Sequence, residues 1–204
     1  MKKRKKFIYL ISPNKIQNEV FYIQLENILK TKKVAFFQLR IKNEKLIKLI
    51  NIGKKINKIC KRYKVKFIVN DNPVLAKKIG ADGCHLGQKD IQVSRAKKIL
   101  KGKIIGITCH NSKKLVKKAK SNKVDYIALG AFFKTSTKKT KYRASIKVLK
   151  DVKKITNIPI VVIGGINNKN YKKLLLNNAN FLAISSYIWN NKNLSPEEAM
   201  EKLL

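Results

Sequence analysis

Short apolar runs alternate along the chain with longer, lysine-rich stretches in which apolar residues recur three and four positions apart. The runs FIYLIS (7–12), VAFFQLR (34–40), VKFIVND (65–71), GCHLG (83–87), KIIGITCH (103–110), VDYIALGAFF (124–133), PIVVIGGI (159–166) and FLAISSYIW (181–189) predict strands. Between them, segments such as KLIKLINIGKKINKICKRY keep the spacing of an amphipathic helix. Strands that alternate with helices pair in parallel and are covered on both faces. Eight such units predict a closed (β/α)8 TIM barrel, with residues 1–204 forming one domain near the short end of that fold's size range. An open doubly wound sheet is the rival, but no GxGxxG follows the first strand. No linker, low-complexity segment or internal boundary interrupts the pattern.

Charge changes this picture less than its size suggests. With 48 Lys and Arg against 11 Asp and Glu, the net charge is +37, which raises a nucleic-acid-binding protein as an alternative. The lysines, however, run the whole length as KK pairs within helical segments, without a basic tail or an aromatic platform. The charge therefore points to anionic small molecules rather than to nucleic acid. No apolar run approaches the roughly 20 residues that cross a bilayer, so no membrane partner is expected. MKKRKKFIYLIS imitates a signal peptide, but its apolar run is short and no small-residue cleavage site follows. Three cysteines, Cys60, Cys84 and Cys109, leave one over in any pairing, which fits a reduced, cytoplasmic setting. The Cys-His pairs at 84–85 and 109–110 offer one inward group each on a strand, too few for zinc. Nothing in the pattern excludes a homo-oligomer.

The scarce acids are where the chemistry begins. Asp71 and Asp90 close short apolar runs and have no helix-start explanation, unlike Glu197, Glu198 and Glu201 after Ser195-Pro196. In a barrel of this type the active site lies at the C-terminal strand ends, which makes Asp71 and Asp90 neighbours on one rim. Asp82, in the Gly80–Gly83 turn before the fourth strand, falls at the opposite end with a structural role. Period two puts Gln38, Arg40 and Lys42 on one strand face, a cationic surface suited to a diphosphate. Thr108 adds a hydroxyl at the fifth strand, and Thr135, Thr137 and Lys138 follow the sixth. The glycine pair of IGGINN, with Gly165, and the serines Ser185 and Ser186 of AISSYI follow strands seven and eight. Those two loops are the recurring phosphate site of the fold. Carboxylates beside a diphosphate need a cation between them, and Mg2+ takes one or two carboxylates plus phosphate oxygens. Asp71 and Asp90 are the expected ligands.

Taken together, QLRIK (38–42), ND (70–71), GADGCHLGQKD (80–90), GITCH (106–110), DYIALGAFFKTSTKK (125–139), IPIVVIGGI (158–166) and AISSYIW resemble the thiamine-phosphate synthase family. The resemblance runs from the second strand to the eighth, and GADG-x-HLGQ-x-D and TxTKK are its most specific parts. It implies a transferase of thiamine biosynthesis that condenses hydroxymethylpyrimidine diphosphate with hydroxyethylthiazole phosphate, or its carboxylate, and releases diphosphate. Carried over by position, Gln38, Arg40, Lys42, Asn70 and Lys138 would hold the pyrimidine's diphosphate, and Asp71 and Asp90 would bind Mg2+. Thr108 stands where serine is usual, near the diphosphate. Thr135 and Thr137 would face the thiazole phosphate or the substrate pocket, and Gly165, Ser185 and Ser186 would clasp that phosphate. Arg40, Thr108 and Lys138 would carry catalysis. Asn72, Ala131, Lys134 and Phe181 depart from the family pattern. A related barrel, the thiazole tautomerase, is the alternative; it would keep the phosphate site without a use for the acidic pair.

Overall fold

The computed structural model describes residues 6–16, 18–135 and 141–203. Eight parallel strands, β1 (Ile8–Ile11), β2 (Val34–Leu39), β3 (Lys66–Asn70), β4 (Gly83–Leu86), β5 (Ile104–His110), β6 (Tyr126–Gly130), β7 (Ile160–Ile163) and β8 (Phe181–Ile184), close in sequence order into a barrel. Helices α1 (Val20–Lys30), α2 (Leu46–Arg62), α3 (Pro73–Lys78), α4 (Val93–Leu100), α5 (Lys113–Ser121), α6 (Ile146–Ile155) and α7 (Tyr171–Leu176) each follow a strand. The short α8 (Ser186–Trp189) and α9 (Pro196–Glu201) follow β8. The expected (β/α)8 barrel is the observed one.

Every strand is shorter than its predicted apolar run, most of all β6 and β8. β6 stops at Gly130, because Ala131 leaves the ladder to pair with Tyr142 and Ala144 across the following loop. β8 stops at Ile184, and SYIW turns into α8, where Trp189 donates its indole N–H to the Ile11 carbonyl at 2.7 Å. In both places hydrophobicity continues past the strand because the next segment packs back onto the barrel.

Helix starts follow local chemistry. Asn72, Ser112 and Ser145 accept a hydrogen bond from the N–H three residues on, and Ser195 with Glu198 forms a reciprocal capping box. Asn72, a departure from the family pattern, is thus the cap of α3, placed directly after Asp71. The lysine-rich faces of the helices stay in solvent, while residues such as Leu25, Ile56 and Leu149 pack on the sheet.

Alternation along the strands separates two cores. Ile8, Leu10, Phe37 and Phe67 face the helices, whereas Tyr9, Ile11, Tyr126, Val161 and Ala183 face the lumen. The first residues of β5 and β8, Ile104 and Phe181, close the N-terminal end of the lumen together with Phe36. Phe36 stacks on Tyr9 at 5.3 Å and meets Phe181 edge-on at 5.0 Å. Phe181, where the family often has glycine, is therefore a floor residue, remote from the C-terminal rim. Lumen packing also explains Gly106: a Cβ there would lie 1.9 Å from Cζ of Tyr126. Gly106→Ala should lower stability by about 1–3 kcal/mol, the cost of overpacking a filled core. Urea unfolding read by near-ultraviolet circular dichroism would measure it, and an unchanged midpoint would show that the Tyr126 ring can move aside freely.

Candidate active site

A cavity of about 210 Å3 opens at the C-terminal ends of the strands, above that aromatic floor. Gln38, Arg40 and Lys42 reach it from the end of β2, with Leu39 turned instead into the helix-facing core. Asn70 and Asp71 reach it from β3, Thr108 from β5, Thr135 from the loop after β6, Gly165 from the loop after β7, and Ser185 and Ser186 from the end of β8. Thr137 and Lys138 lie outside the described residues.

The acidic pair forms as the rim position requires. Asp71 has a left-handed backbone (φ +63°), a conformation that Asp tolerates better than most residues, and its N–H donates to the His85 carbonyl at 2.7 Å. This turn, locked by the Asn72 cap, presents the carboxyl to the rim. Asp90 is fixed separately, since its Oδ2 accepts from the Gly87 N–H at 2.6 Å. The two carboxyls lie within hydrogen-bonding reach of each other. Burial pushes Asp71 up to about 6, and the Asp90 carboxyl pushes the same way against Arg40 and Lys42. Two carboxylates in contact are stable only with a proton or a cation between them. Among the described residues no group of three or more His, Cys, Asp or Glu side chains gathers, so this pair is not a closed cage. Two carboxylates with cationic neighbours and open space suit a hard ion that completes its shell with substrate oxygens.

Asp82 sits at the other barrel end. Its Oδ2 accepts from the Phe67 N–H at 2.9 Å and its Oδ1 pairs with Lys66 at 3.3 Å, so it pins β3 beside β4.

On the opposite side of the cavity, Gly164 (φ +107°) and Gly165 (φ +63°) turn the chain after β7. Packing demands glycine as much as conformation does: a Cβ on Gly165 would lie 2.2 Å from the Lys134 carbonyl oxygen, and one on Gly164 would lie 2.4 Å from the Ala131 Cβ. Two more family departures, Ala131 and Lys134, are thus the contact surface of this glycine turn. Ser185 donates its hydroxyl to the Ser12 carbonyl at 3.1 Å, so towards an anion it offers its backbone N–H. With Ser186 it opens α8, and first-turn N–H groups of a helix lack intrahelical acceptors.

Two features of the site, Ser12 and a row of lumen side chains, were not anticipated from the residues, whereas His110 is the packed strand-end histidine its position suggests. Ser12, almost wholly buried, accepts the Arg40 N–H on Oγ at 2.9 Å and the Ser185 hydroxyl on its carbonyl, tying the end of β2 to the end of β8. His110 stacks on Tyr142 with centroids 4.0 Å apart. Below the rim, Tyr9, His85 and Tyr126 line the cavity and form a hydrogen-bonded row: Gln38 Nε2 to Tyr9 Oη at 3.0 Å, Tyr9 Oη to Tyr126 Oη at 2.7 Å, Tyr126 Oη to His85 Nδ1 at 3.0 Å, and His85 Nε2 to Thr108 Oγ1 at 2.8 Å. Burial raises the pKa of both tyrosines, which keeps their hydroxyls protonated. The signal was in the strand alternation, where Tyr9 and His85 fall on lumen-facing positions between residues that face the helices.

Cationic side chains, a carboxylate and a glycine–serine turn thus surround one cavity. The family model described as thiamine monophosphate synthase matches residues 8–188. The chain belongs to the thiamine monophosphate synthase family. It is 63% identical over 199 residues to the thiamine-phosphate synthase of Pelagibacter ubique (strain HTCC1062), covering 98% of this chain and 96% of that protein. A thiamine-phosphate synthase of Methanococcus maripaludis is 36% identical, with 96% and 93% covered. Among solved structures, the thiamine phosphate pyrophosphorylase from Pyrococcus furiosus superposes with a TM-score of 0.85 at 27% identity, covering 97% of this chain and 93% of that one. Asp71 and the glycine turn of the present chain line opposite sides of one cavity, β3 facing β7 across the barrel, while Asp90 lies against Asp71 without itself lining the cavity.

Proposed function

We infer that this chain is a thiamine-phosphate synthase, a transferase that joins hydroxymethylpyrimidine diphosphate to hydroxyethylthiazole phosphate, or its carboxylate, and releases diphosphate. The observation that carries the reading is a single cavity with a cationic, carboxylate-bearing wall on one side and a glycine–serine turn on the other. One phosphate site would serve a single phosphorylated substrate; two anion sites facing one floor serve a condensation. The tautomerase alternative uses only the second wall, so it is set aside.

In this reading Arg40 and Lys42, with Asn70 and Lys138, hold the diphosphate. Asp71 and Asp90 hold Mg2+, which when bound neutralises the growing charge on the leaving oxygens. Support for that assignment comes from the closeness of the two carboxyls and from the cationic neighbours Arg40 and Lys42 beside Asp71. Thr108 donates a hydrogen bond to the leaving group, and Gln38 reaches the pyrimidine from the lumen side. Gly165, Ser185 and Ser186 supply backbone donors to the thiazole phosphate, and Thr135 lies between the two walls. The substitution is dissociative: the C–O bond to diphosphate breaks with its electron pair leaving on oxygen. The aminopyrimidine ring delocalises the methylene cation, and the thiazole nitrogen lone pair closes the new C–N bond. No side-chain nucleophile takes part, so the protein works by positioning and charge stabilisation. The three cysteines are buried and unpaired, which supports a cytoplasmic location.

Incubation of the purified chain with both substrates and Mg2+ tests the reading. Thiamine phosphate and diphosphate should form in equal amounts. Turnover of a thiazole carboxylate phosphate without the pyrimidine substrate, and no thiamine phosphate, would replace it with the tautomerase.

A further inference from the structure

The row from Gln38 to Thr108 has a direction, set by counting protons. Tyr9 Oη accepts from Gln38 Nε2, and it is 2.7 Å from Tyr126 Oη. Tyr9 is 2% exposed, and its only other hydroxyl contact among the described residues is Tyr126. If Tyr126 donated to Tyr9, the Tyr9 proton would have no protein acceptor among the described residues, a state that buried hydroxyls avoid. Tyr9 therefore donates to Tyr126. Tyr126, also 2% exposed, then has one proton left to place, and His85 Nδ1 at 3.0 Å is its acceptor. An imidazole that accepts on Nδ1 carries its proton on Nε2, and Nε2 faces Thr108 Oγ1 at 2.8 Å. The reverse order would strand a tyrosine proton at one end and spend the Thr108 proton on the imidazole at the other.

We propose that Tyr9, Tyr126 and His85 are positioning residues: through the Nε2–H tautomer of His85 they occupy the acceptor side of Thr108 and hold its hydroxyl proton toward the anion in the cavity. A threonine hydroxyl has one proton and can rotate. With the imidazole donating to its oxygen, that proton is free only for a cavity acceptor, and the donor is oriented before diphosphate leaves. With the imidazole accepting, Thr108 would show lone pairs to the anion and repel it. Supporting contacts limit other motions of the row. Gln88 Nε2 donates to the Thr108 carbonyl, the His85 and Tyr126 rings stack at 18° with centroids 5.6 Å apart, and Gly106 leaves the Tyr126 ring its place.

The chain has two histidines, so 15N-histidine labelling gives two imidazole spin systems, assigned by the signal that His85→Gln removes. At neutral pH His85 should be the Nε2–H tautomer. In Tyr126→Phe, which keeps the ring and removes only the hydroxyl, its spectrum should move toward the Nδ1–H form. The kinetic arm rests on the synthase reading. Tyr126→Phe should lower kcat by about tenfold, less than outright loss of an oxyanion donor. It should lower it no further in a Thr108→Val background, because Tyr126 acts through Thr108. A wild-type His85 protonated on Nδ1 overturns the proposal, as does a Tyr126→Phe effect of equal size in both backgrounds. Absence of thiamine phosphate from the wild type would end the synthase reading alone, because the tautomer is measured without turnover.

Discussion

Asp90→Asn should cut turnover by about a hundredfold at limiting Mg2+, because a bound metal's stabilisation of a leaving oxyanion is worth several kcal/mol. The substitution is chosen to spare the fold. Asp90 holds its turn by accepting the Gly87 N–H, and an Asn side-chain oxygen can accept the same bond. What it removes is one of two charges that a cation would bind. High Mg2+ should recover part of the loss, which a folding defect would not allow. The pH dependence follows from Asp71. Its carboxyl is pushed up to about 6 from an ordinary 3.8, first by burial and then by Asp90. Between about pH 4 and 6 the metal-free folded protein binds a proton that the unfolded chain has released, so its stability falls as pH rises through that window. Mg2+ must displace the same proton, so its apparent affinity should rise from pH 5 to pH 7. In Asp90→Asn this window should move to lower pH, since one of its causes is gone. Wild-type turnover at limiting Mg2+ in the variant would remove Asp90 from the metal site.

How far the chain could be read in advance depends on which periodicity governs each residue. Eight strand–helix units were legible because the helices bury one face against a sheet buried on both, and that leaves two distinct hydrophobic patterns. Asp71 and Asp90 stood out because an acid at a strand end, in so basic a chain, lacks a surface explanation. Tyr9, His85 and Tyr126 were overlooked because a lumen residue has the same alternation as any strand residue. Only the closed barrel shows that three separate strands aim these side chains at each other. Ser12 escaped for a related reason: its partners, Arg40 and Ser185, are 28 and 173 positions away. The ends of β6 and β8 were misplaced because an apolar run does not reveal whether its residues pack within the sheet or from a loop returning to it.

Gly165→Val should damage use of both substrates, although Gly165 lies on the thiazole phosphate wall. A view of Gly165 as a backbone donor alone predicts a narrower result, with a higher KM for the thiazole phosphate and unchanged handling of the pyrimidine diphosphate. Packing decides between them. Valine's Cβ would enter the space 2.2 Å from the Lys134 carbonyl oxygen and 2.9 Å from the Phe133 Cβ, at a φ of +63° that β-branched residues rarely adopt. Backbone must move, and the segment that must move leads directly into Thr135, which lines the shared cavity. By sequence it continues to Thr137, which the family resemblance assigns to the thiazole phosphate or the substrate pocket, and to Lys138, which it assigns to the diphosphate. Misplacement on the ångström scale costs about a hundredfold in a reaction that depends on positioning, so kcat/KM should fall by that order for each substrate. Circular dichroism and the melting transition would separate this from global unfolding, because the strain is confined to two neighbouring loops. A rise in the thiazole phosphate KM alone, with normal pyrimidine diphosphate kinetics, would mean that the β7 turn can take a side chain without shifting the β6 loop, and that the two walls of the cavity act independently.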